Sequence, residues 1–176
     1  AVSPRGADHW TAQHDPFFAA EDSPGTLALS GVGLGAAVPK TDLGLKKARF
    51  FYNSTNLCSG YDILGICTLA AVGRGIITLD QIMEMARAAT GWNLTWFEII
   101  KAGERAVNMA RMFNIQAGAG PEMDQLPKIF TRNMNGGPND GSGAIDRDTF
   151  REAIAHYYEM AGWDSQEIGR ASCRER

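Results

Sequence analysis

The chain has 176 residues, 44% of them apolar and 21% charged, which suits one globular core and leaves no room for a low-complexity or fibrous protein. A formal net charge of −3 excludes nucleic acid as the main partner, because phosphate binding needs a basic surface. No apolar run approaches the roughly 18–20 residues that span a bilayer, so no membrane partner is expected.

The three cysteines, Cys58, Cys67 and Cys173, are too few and too odd in number for a disulfide framework. No charged stretch followed by an apolar one opens the chain. The expected setting is reducing and cytoplasmic.

Residues 1–40 are rich in Gly, Pro, Ala and Asp, and Pro4, Pro16, Pro24 and Pro39 argue against long helices there. Gly31-Val32-Gly33-Leu34-Gly35 is similar to a dinucleotide-binding loop, but no β-branched strand precedes it and its third glycine is misplaced, so it reads as a flexible loop. From Asp42 the pattern becomes helical. Leu43, Lys46, Lys47 and Phe50 open a helix expected to end near Asn53, with a second over Ser54–Leu64 stopped by Gly65. Gly73-Arg74-Gly75 breaks the chain again.

Thr78-Leu79-Asp80-Gln81 and Thr95-Trp96-Phe97-Glu98 are capping boxes, in which hydroxyl and carboxamide or carboxylate satisfy the unpaired donors of a helix start. The first opens a helix with Leu79, Ile82, Met83, Ala86 and Ala89 on one face and a stop at Gly91. The second opens a helix expected to bury Ile99, Ile100, Val107, Ala110 and Phe113 and to turn Lys101, Glu104, Arg105 and Arg111 toward polar surroundings. Residues 114–145 form a long Gly/Pro/Asn-rich crossing, the kind of segment that often carries function. A last helix starts near Asp146, turns Phe150, Ile154 and Tyr157 inward and ends at Gly162.

No strand alternation occurs, so the fold class is all-α: a loop-rich segment over 1–40, then a helical domain over 41–167. Ile168-Gly169-Arg170-Ala171-Ser172-Cys173-Arg174-Glu175-Arg176 breaks the pattern and reads as the translation of a sequencing adapter; the alternative is a disordered tail. The abrupt start at Ala1-Val2-Ser3-Pro4 suggests a fragment.

Chemistry concentrates in Asp62-Ile63-Leu64-Gly65-Ile66-Cys67, where a carboxylate and a thiol bracket a small apolar turn. Cys67 is either a soft ligand for iron or a small buried hydrophobe. His9, in Arg5-Gly6-Ala7-Asp8-His9, is either a proton carrier beside an anion-clamping Arg or an unemployed loop residue. His14 and His156 read as surface or structural. Asp140-Gly141-Ser142-Gly143 mimics a calcium loop, but Pro138 and Thr149 remove two of its oxygen ligands. Asp124-Gln125-Leu126-Pro127 reads as a turn with an exposed acid.

Taken in order, Arg5–His9, Asp62–Cys67, Gly103-Glu104-Arg105 with Asn108, Arg111 and Phe113-Asn114, then Asp124–Pro127 and Tyr157-Tyr158-Glu159-Met160-Ala161-Gly162-Trp163-Asp164, resemble the C-terminal part of the tungsten-containing aldehyde:ferredoxin oxidoreductases. The resemblance covers nearly all of residues 1–167. It implies the irregular helical domains of that region and a tungsten held by two pterin dithiolenes beside a [4Fe–4S] cluster, with molybdenum as the alternative metal. By this resemblance Cys67 would be the fourth cluster ligand, Asp62 would hydrogen-bond pterin nitrogens, and Ile66 would contact the same pterin through its backbone. Arg5 would hold the pterin and His9 would stand beside the metal as the catalytic proton carrier. The other three cluster cysteines would lie in an upstream Cys-x-x-Cys-x-x-x-Cys segment.

The implied reaction is aldehyde oxidation to a carboxylic acid, with ferredoxin as electron acceptor and the N-terminal part of the same protein as structural partner. The fragment alone is expected to be inactive, and a homo-oligomer stays open. A Gly-rich insertion over 25–40, Asp8 in place of a Cys and Thr11 in place of a basic residue depart from the family pattern. They leave room for a reductase of aromatic-ring thioesters (benzoyl-CoA-like) or of carboxylic acids on the same scaffold. From a different class, a non-catalytic helical binding or scaffold module would keep Cys67 as core.

Overall fold

In the computed structural model, which describes residues 2–6, 8–71 and 76–164, α-helices and short 3-10 turns account for all regular structure, and no strand occurs among these residues. The Gly73–Gly75 break and the 168–176 tail lie outside the described residues. The α-helices are α1 (Pro24–Ala28), α2 (Leu45–Leu64), α3 (Leu79–Thr90), α4 (Trp96–Gln116) and α5 (Arg147–Ala161). The expected all-α class is what the chain adopts.

The local signals act as their chemistry requires. Both capping boxes form: Thr78 Oγ1 accepts from Gln81 N while Gln81 Oε1 accepts from Thr78 N, and Thr95 and Glu98 do the same at α4. Asp146 caps α5 by accepting from the amides of Asp148 and Thr149. Gly65, Gly91 and Gly162 end α2, α3 and α5 in the left-handed conformation.

Residues 45–64 form one helix rather than the expected two. Ser54, Thr55 and Asn56 are poor helix formers, yet all three are buried at the middle of α2, and Ser54 Oγ accepts a hydrogen bond from Gln13 N at 2.6 Å. Tertiary packing overrides their weak propensity. α2 is the hub of the fold, packing against both α4 and α5. At the α2–α4 crossing a side chain on Gly103 would stand 2.0 Å from the Asn56 carbonyl oxygen, and one on Gly60 would stand 2.8 Å from Ile99 Cγ2. Two glycines therefore set how closely these helices approach.

One hydrophobic cluster joins Phe18, Leu29, Leu34 and Val38 to Phe50, Leu57, Tyr61, Ala71 and Ile82. The 25–40 insertion is thus part of the core. Its Gly-rich stretch is a 3-10 turn over Ser30–Val32, sealed by buried Leu34, whose amide donates to the Leu29 carbonyl at 3.2 Å. A second cluster, Val2, Val107, Tyr157 and Trp163, ties the start of the chain to α4 and α5.

Burial corrects four expectations on and after α4. Phe113 is 71% exposed and Ala110 is exposed, because no described element covers the outer face of the last turns of α4. Arg111, expected at a polar surface, is 4% exposed. Asp124, expected as an exposed acid, has a side chain only 4% exposed and forms a bidentate pair with Arg111, Nη1 to Oδ1 at 3.0 Å and Nη2 to Oδ2 at 2.7 Å. The Tyr158 hydroxyl donates to Asp124 Oδ2 and accepts from Arg111 Nη2 at 2.8 Å. The Trp163 ring lies 5.1 Å from the guanidinium carbon, and its Nε1 donates to Asn108 Oδ1 at 2.6 Å. This junction fastens α4, the 121–124 turn and α5 together.

Candidate functional site

The Asp62–Cys67 stretch is built by the end of α2. Gly65, at φ 69°, lets its own amide reach the Asp62 carbonyl (3.1 Å) and the Ile66 amide reach the Tyr61 carbonyl (2.9 Å). Half-buried Ile66 packs against the main core and anchors the turn. Asp62 is left on the surface, and Cys67 lies just beyond the turn with its carbonyl accepting from the amides of Ala70 and Ala71. Cys67 is an exposed free thiol.

Cys58, on α2 itself, is its opposite. It is 1% exposed, its sulfur accepts from Gln13 Nε2 at 3.6 Å, and burial pushes the thiol from its ordinary 9.0 up to about 12. A buried neutral thiol is a poor ligand, which leaves Cys67 as the accessible thiol among the described residues.

The N-terminal loop is fixed at several points before it reaches this turn. Asn114 of α4 donates from Nδ2 to the Pro4 carbonyl at 2.6 Å. Ser3 and buried Thr11 share a hydroxyl hydrogen bond of 3.0 Å. Lys47 of α2 pairs with Asp15 at 2.6 Å. Within the loop, Arg5 Nε meets Asp8 Oδ2 at 2.9 Å, and Trp10 N donates to Asp8 Oδ1 at 2.8 Å. The Trp10 amide, assisted by the Arg5 guanidinium, holds the Asp8 carboxyl below the usual carboxylate range.

Arg5 then reaches across to α2. Its Nη2 stands 3.8 Å from Asp62 Oδ2, and both side chains are about half exposed. Two motifs far apart in sequence therefore converge on one spot. His9 is exposed on the same loop, with its ring 4.8 Å from that of Trp10. His14 Nε2 lies 2.7 Å from the His9 carbonyl oxygen, which gives His14 a structural task.

Two cavities flank the loop. A small one of about 140 Å³ is lined by Pro4, Arg5, Thr11 and Asp62 together with residues of α2 and α4. A large one of about 610 Å³ takes Asp8, His9 and residues 12–16 as one wall and α2 and α5 as the others. The loop thus faces Arg5 into one space and His9 into the other.

Sequence reasoning named Asn114 only as part of a motif and gave it no task. Its hydrogen bond to Pro4 joins residues 110 positions apart, and no local pattern announces such a contact. The Asp140 segment forms a local turn in which Asp140 Oδ1 accepts from Gly136 N at 2.7 Å. Among the described residues no group of three or more His, Cys, Asp or Glu side chains converges as a metal site.

Asp62 at the end of α2 and Arg5 of the N-terminal loop thus meet on the surface, and the exposed thiol of Cys67 follows just past the same turn. Residues 1–173 match the family model described as "Aldehyde ferredoxin oxidoreductase, domains 2 & 3". The chain belongs to the aldehyde ferredoxin oxidoreductase family. It is 33% identical over 124 residues to the tungsten-containing aldehyde ferredoxin oxidoreductases of Thermococcus kodakarensis and Pyrococcus horikoshii, and 32% identical over the same length to that of Pyrococcus furiosus. Each alignment covers 69% of this chain and 19% of the relative, so the match spans about a fifth of the relatives' length.

Proposed function

We propose that this chain forms the helical wall of a tungstopterin and iron–sulfur oxidoreductase that converts aldehydes to carboxylic acids in the cytoplasm and delivers the electrons to ferredoxin. Residues 1–40 would be its cofactor-facing segment and 41–167 its helical domain. The convergence of Arg5 and Asp62 at 3.8 Å carries this reading, because it unites the two motifs assigned to the pterin.

The residues present fit such a cofactor. Asp62 is an exposed acceptor held only by a loose ion pair, suited to pterin N–H donors; Arg5 offers a planar donor fork suited to phosphate or a ring carbonyl. Ile66 follows on the same turn, where its amide is engaged by the Tyr61 carbonyl, so its own carbonyl is the backbone group that would meet the pterin. Cys67 supplies one exposed thiol toward a cluster whose other thiolates would come from elsewhere in the protein. Held by Arg5, Asp62 and Ile66, a bound metal pterin would supply the two-electron redox chemistry, and a cluster ligated in part by Cys67 would supply single-electron transfer toward ferredoxin.

The reaction balances as aldehyde plus water giving carboxylic acid, two protons and two electrons. His9, exposed to the larger cavity, takes up a proton released from water as the acyl carbon is oxidised. Asp8 does not compete for that proton, since its carboxyl is engaged by Arg5 and the Trp10 amide and held in the ionised form.

The test is metal and activity analysis of the holoenzyme purified anaerobically. Cys67→Ser is expected to lose iron while keeping helical content, and His9→Asn to keep tungsten and iron but lose turnover. Unchanged iron in the first, or unchanged turnover in the second, would remove that residue from its role. Absence of tungsten and molybdenum from the active protein would overturn the reading as a whole.

A further inference from the structure

A third cavity, of about 410 Å³, lies between the 124–131 segment and the start of α5, and its walls include Asp124, Lys128, Thr131, Arg147, Phe150 and Arg151. None of Arg5, His9, Asp62, Ile66 or Cys67 lines it. Its volume falls in the range of roughly 300–1,000 Å³ typical of small-molecule pockets. Asp124 is the one carboxylate among the described lining residues, and both of its oxygens are already taken by Arg111 and Tyr158. The cations are not so satisfied. Among the described residues, no carboxylate stands within ion-pair distance of Lys128 or Arg147. Arg151 meets Asp148 at 2.9 Å, but the side chains are 75% and 83% exposed, and a contact that open is readily exchanged for another anion.

The placement of these cations is locally unfavourable. Arg147 is the first residue of α5, at the positive end of the helix dipole, where a cation is disfavoured. Arg151 follows four residues later, so two like charges share one helix face. In a chain of net charge −3, three cations round one cavity set up a local field of the opposite sign. An anion in the cavity would relieve both costs. The helix amides of Asp148 and Thr149 are taken by Asp146, so it is the side chains that make the site. Half-buried Phe150 adds an aromatic face to the same wall.

We propose that this cavity binds a small phosphorylated molecule with a planar ring, of the size and charge of a nucleoside monophosphate. Arg147 and Arg151 present planar donor forks suited to phosphate oxygens, and Lys128 adds a point charge from the 128–131 turn. The Phe150 ring is the seat for the planar group. The site goes beyond the oxidoreductase reading and uses none of its residues.

Equilibrium dialysis of the holoenzyme against AMP tests this, with inorganic phosphate and adenosine as partial probes. AMP is expected to bind saturably and more tightly than either. Lys128→Glu combined with Arg147→Glu is expected to weaken AMP about tenfold or more, because charge-assisted contacts to phosphate are lost. Arg105→Glu, at an exposed cation of α4 outside the cavity, should leave the affinity unchanged. Phe150→Leu should weaken AMP severalfold and leave phosphate as it was. If the double reversal disturbs helical circular dichroism, Lys128→Gln with Arg147→Gln gives the same loss at smaller amplitude.

No saturable AMP binding, or binding that survives the paired variants, overturns the site. An equal loss in Arg105→Glu means general attraction to positive charge and overturns it too. Phosphate as tight as AMP, with no effect of Phe150→Leu, overturns the ring-bearing class of ligand. Metal content and aldehyde turnover enter none of these readouts, so the oxidoreductase reading stands or falls separately.

Discussion

Two arginine–aspartate pairs lie in the segments that carry the family resemblance, and they are built in opposite ways. Arg111 and Asp124 meet in bidentate geometry at 2.7 and 3.0 Å, have side chains 5% and 4% exposed, and share Tyr158 as a third member. Arg5 and Asp62 approach only to 3.8 Å, and each is about half exposed. The first pair is closed: three groups on three segments bond one another away from water, with Arg111 Nε the one guanidinium nitrogen left without a partner. The second is open, with donor and acceptor capacity left for a third party. Residue type is the same in both; burial and coordination separate a structural fastening from the pair proposed to meet the cofactor.

The largest effect should come from breaking the closed pair. Asp124→Ala strands the Arg111 charge in a nearly water-free site, and removing one partner of a buried pair costs about 3–5 kcal/mol. Chemical denaturation should show that loss as a lowered midpoint with an unchanged slope. Arg111→Met combined with Asp124→Leu should recover most of it, because no charge is then left unpaired. A single variant as stable as wild type would mean that water reaches the junction.

The next effect concerns the crossing that positions both pairs. Gly103→Ala puts a methyl group 2.0 Å from the Asn56 carbonyl oxygen and 2.9 Å from Gly60 N, so α2 and α4 must separate. Overpacking of this kind costs about 1–3 kcal/mol or more, and here backbone rather than a yielding side chain stands in the way. A drop in thermal midpoint with preserved helical circular dichroism is expected. An unchanged midpoint would show that the crossing is loose.

The sequence carries the helix ends far more legibly than the helix faces. The residues of both capping boxes, Asp146 at the head of α5, and Gly65, Gly91 and Gly162 at the ends of α2, α3 and α5 act within a few residues of themselves, so their effect can be read locally. Arg111 could not be read that way, since its partner Asp124 sits on the following turn and its third ligand, Tyr158, on another helix. Phe113 failed for the converse reason: it has the right periodicity, but no described neighbour arrives to cover it. In the candidate site, Arg5, His9, Asp62, Ile66 and Cys67 were named through family resemblance, and local chemistry alone left each of them open. The large cavity was illegible because its walls come from the N-terminal loop, α2 and α5, and no single segment signals it.

The two α2-side thiols give a smaller, chemical contrast. Iodoacetamide at pH 8 should label Cys67 within minutes and leave Cys58 intact, as read by mass spectrometry of the native chain. Burial raises Cys58 from 9.0 to about 12, so its thiol form is favoured by folding. That contribution is fully present below pH 9 and is lost as pH rises through about 12, so alkaline unfolding should begin in this window. Cys58→Ala should reduce the steepness of stability loss there. Rapid native labelling of Cys58 would show that the 1% exposure understates access.

The smallest expected effect on stability is at the open pair, and it is the most informative for function. Asp62→Asn removes one charge from a half-exposed contact at 3.8 Å, and such pairs contribute at most about 0.5–1 kcal/mol, often nothing measurable. The thermal midpoint should therefore stay within experimental scatter, whereas Asp124→Asn should lower it clearly. Arg5 keeps its contact with Asp8, so the loop has no reason to leave its place. In the holoenzyme, however, the same Asp62→Asn change replaces an acceptor-only group with one that would also present an N–H₂ toward the donors of the proposed pterin. Pterin retention after gel filtration should fall even though the fold does not. A destabilised Asp62→Asn protein would make this pair a fastening like Arg111–Asp124. An equally stable protein with full pterin content would leave Asp62 without a task at the site, whereas stability without retention is the signature of a wall whose partner is the cofactor.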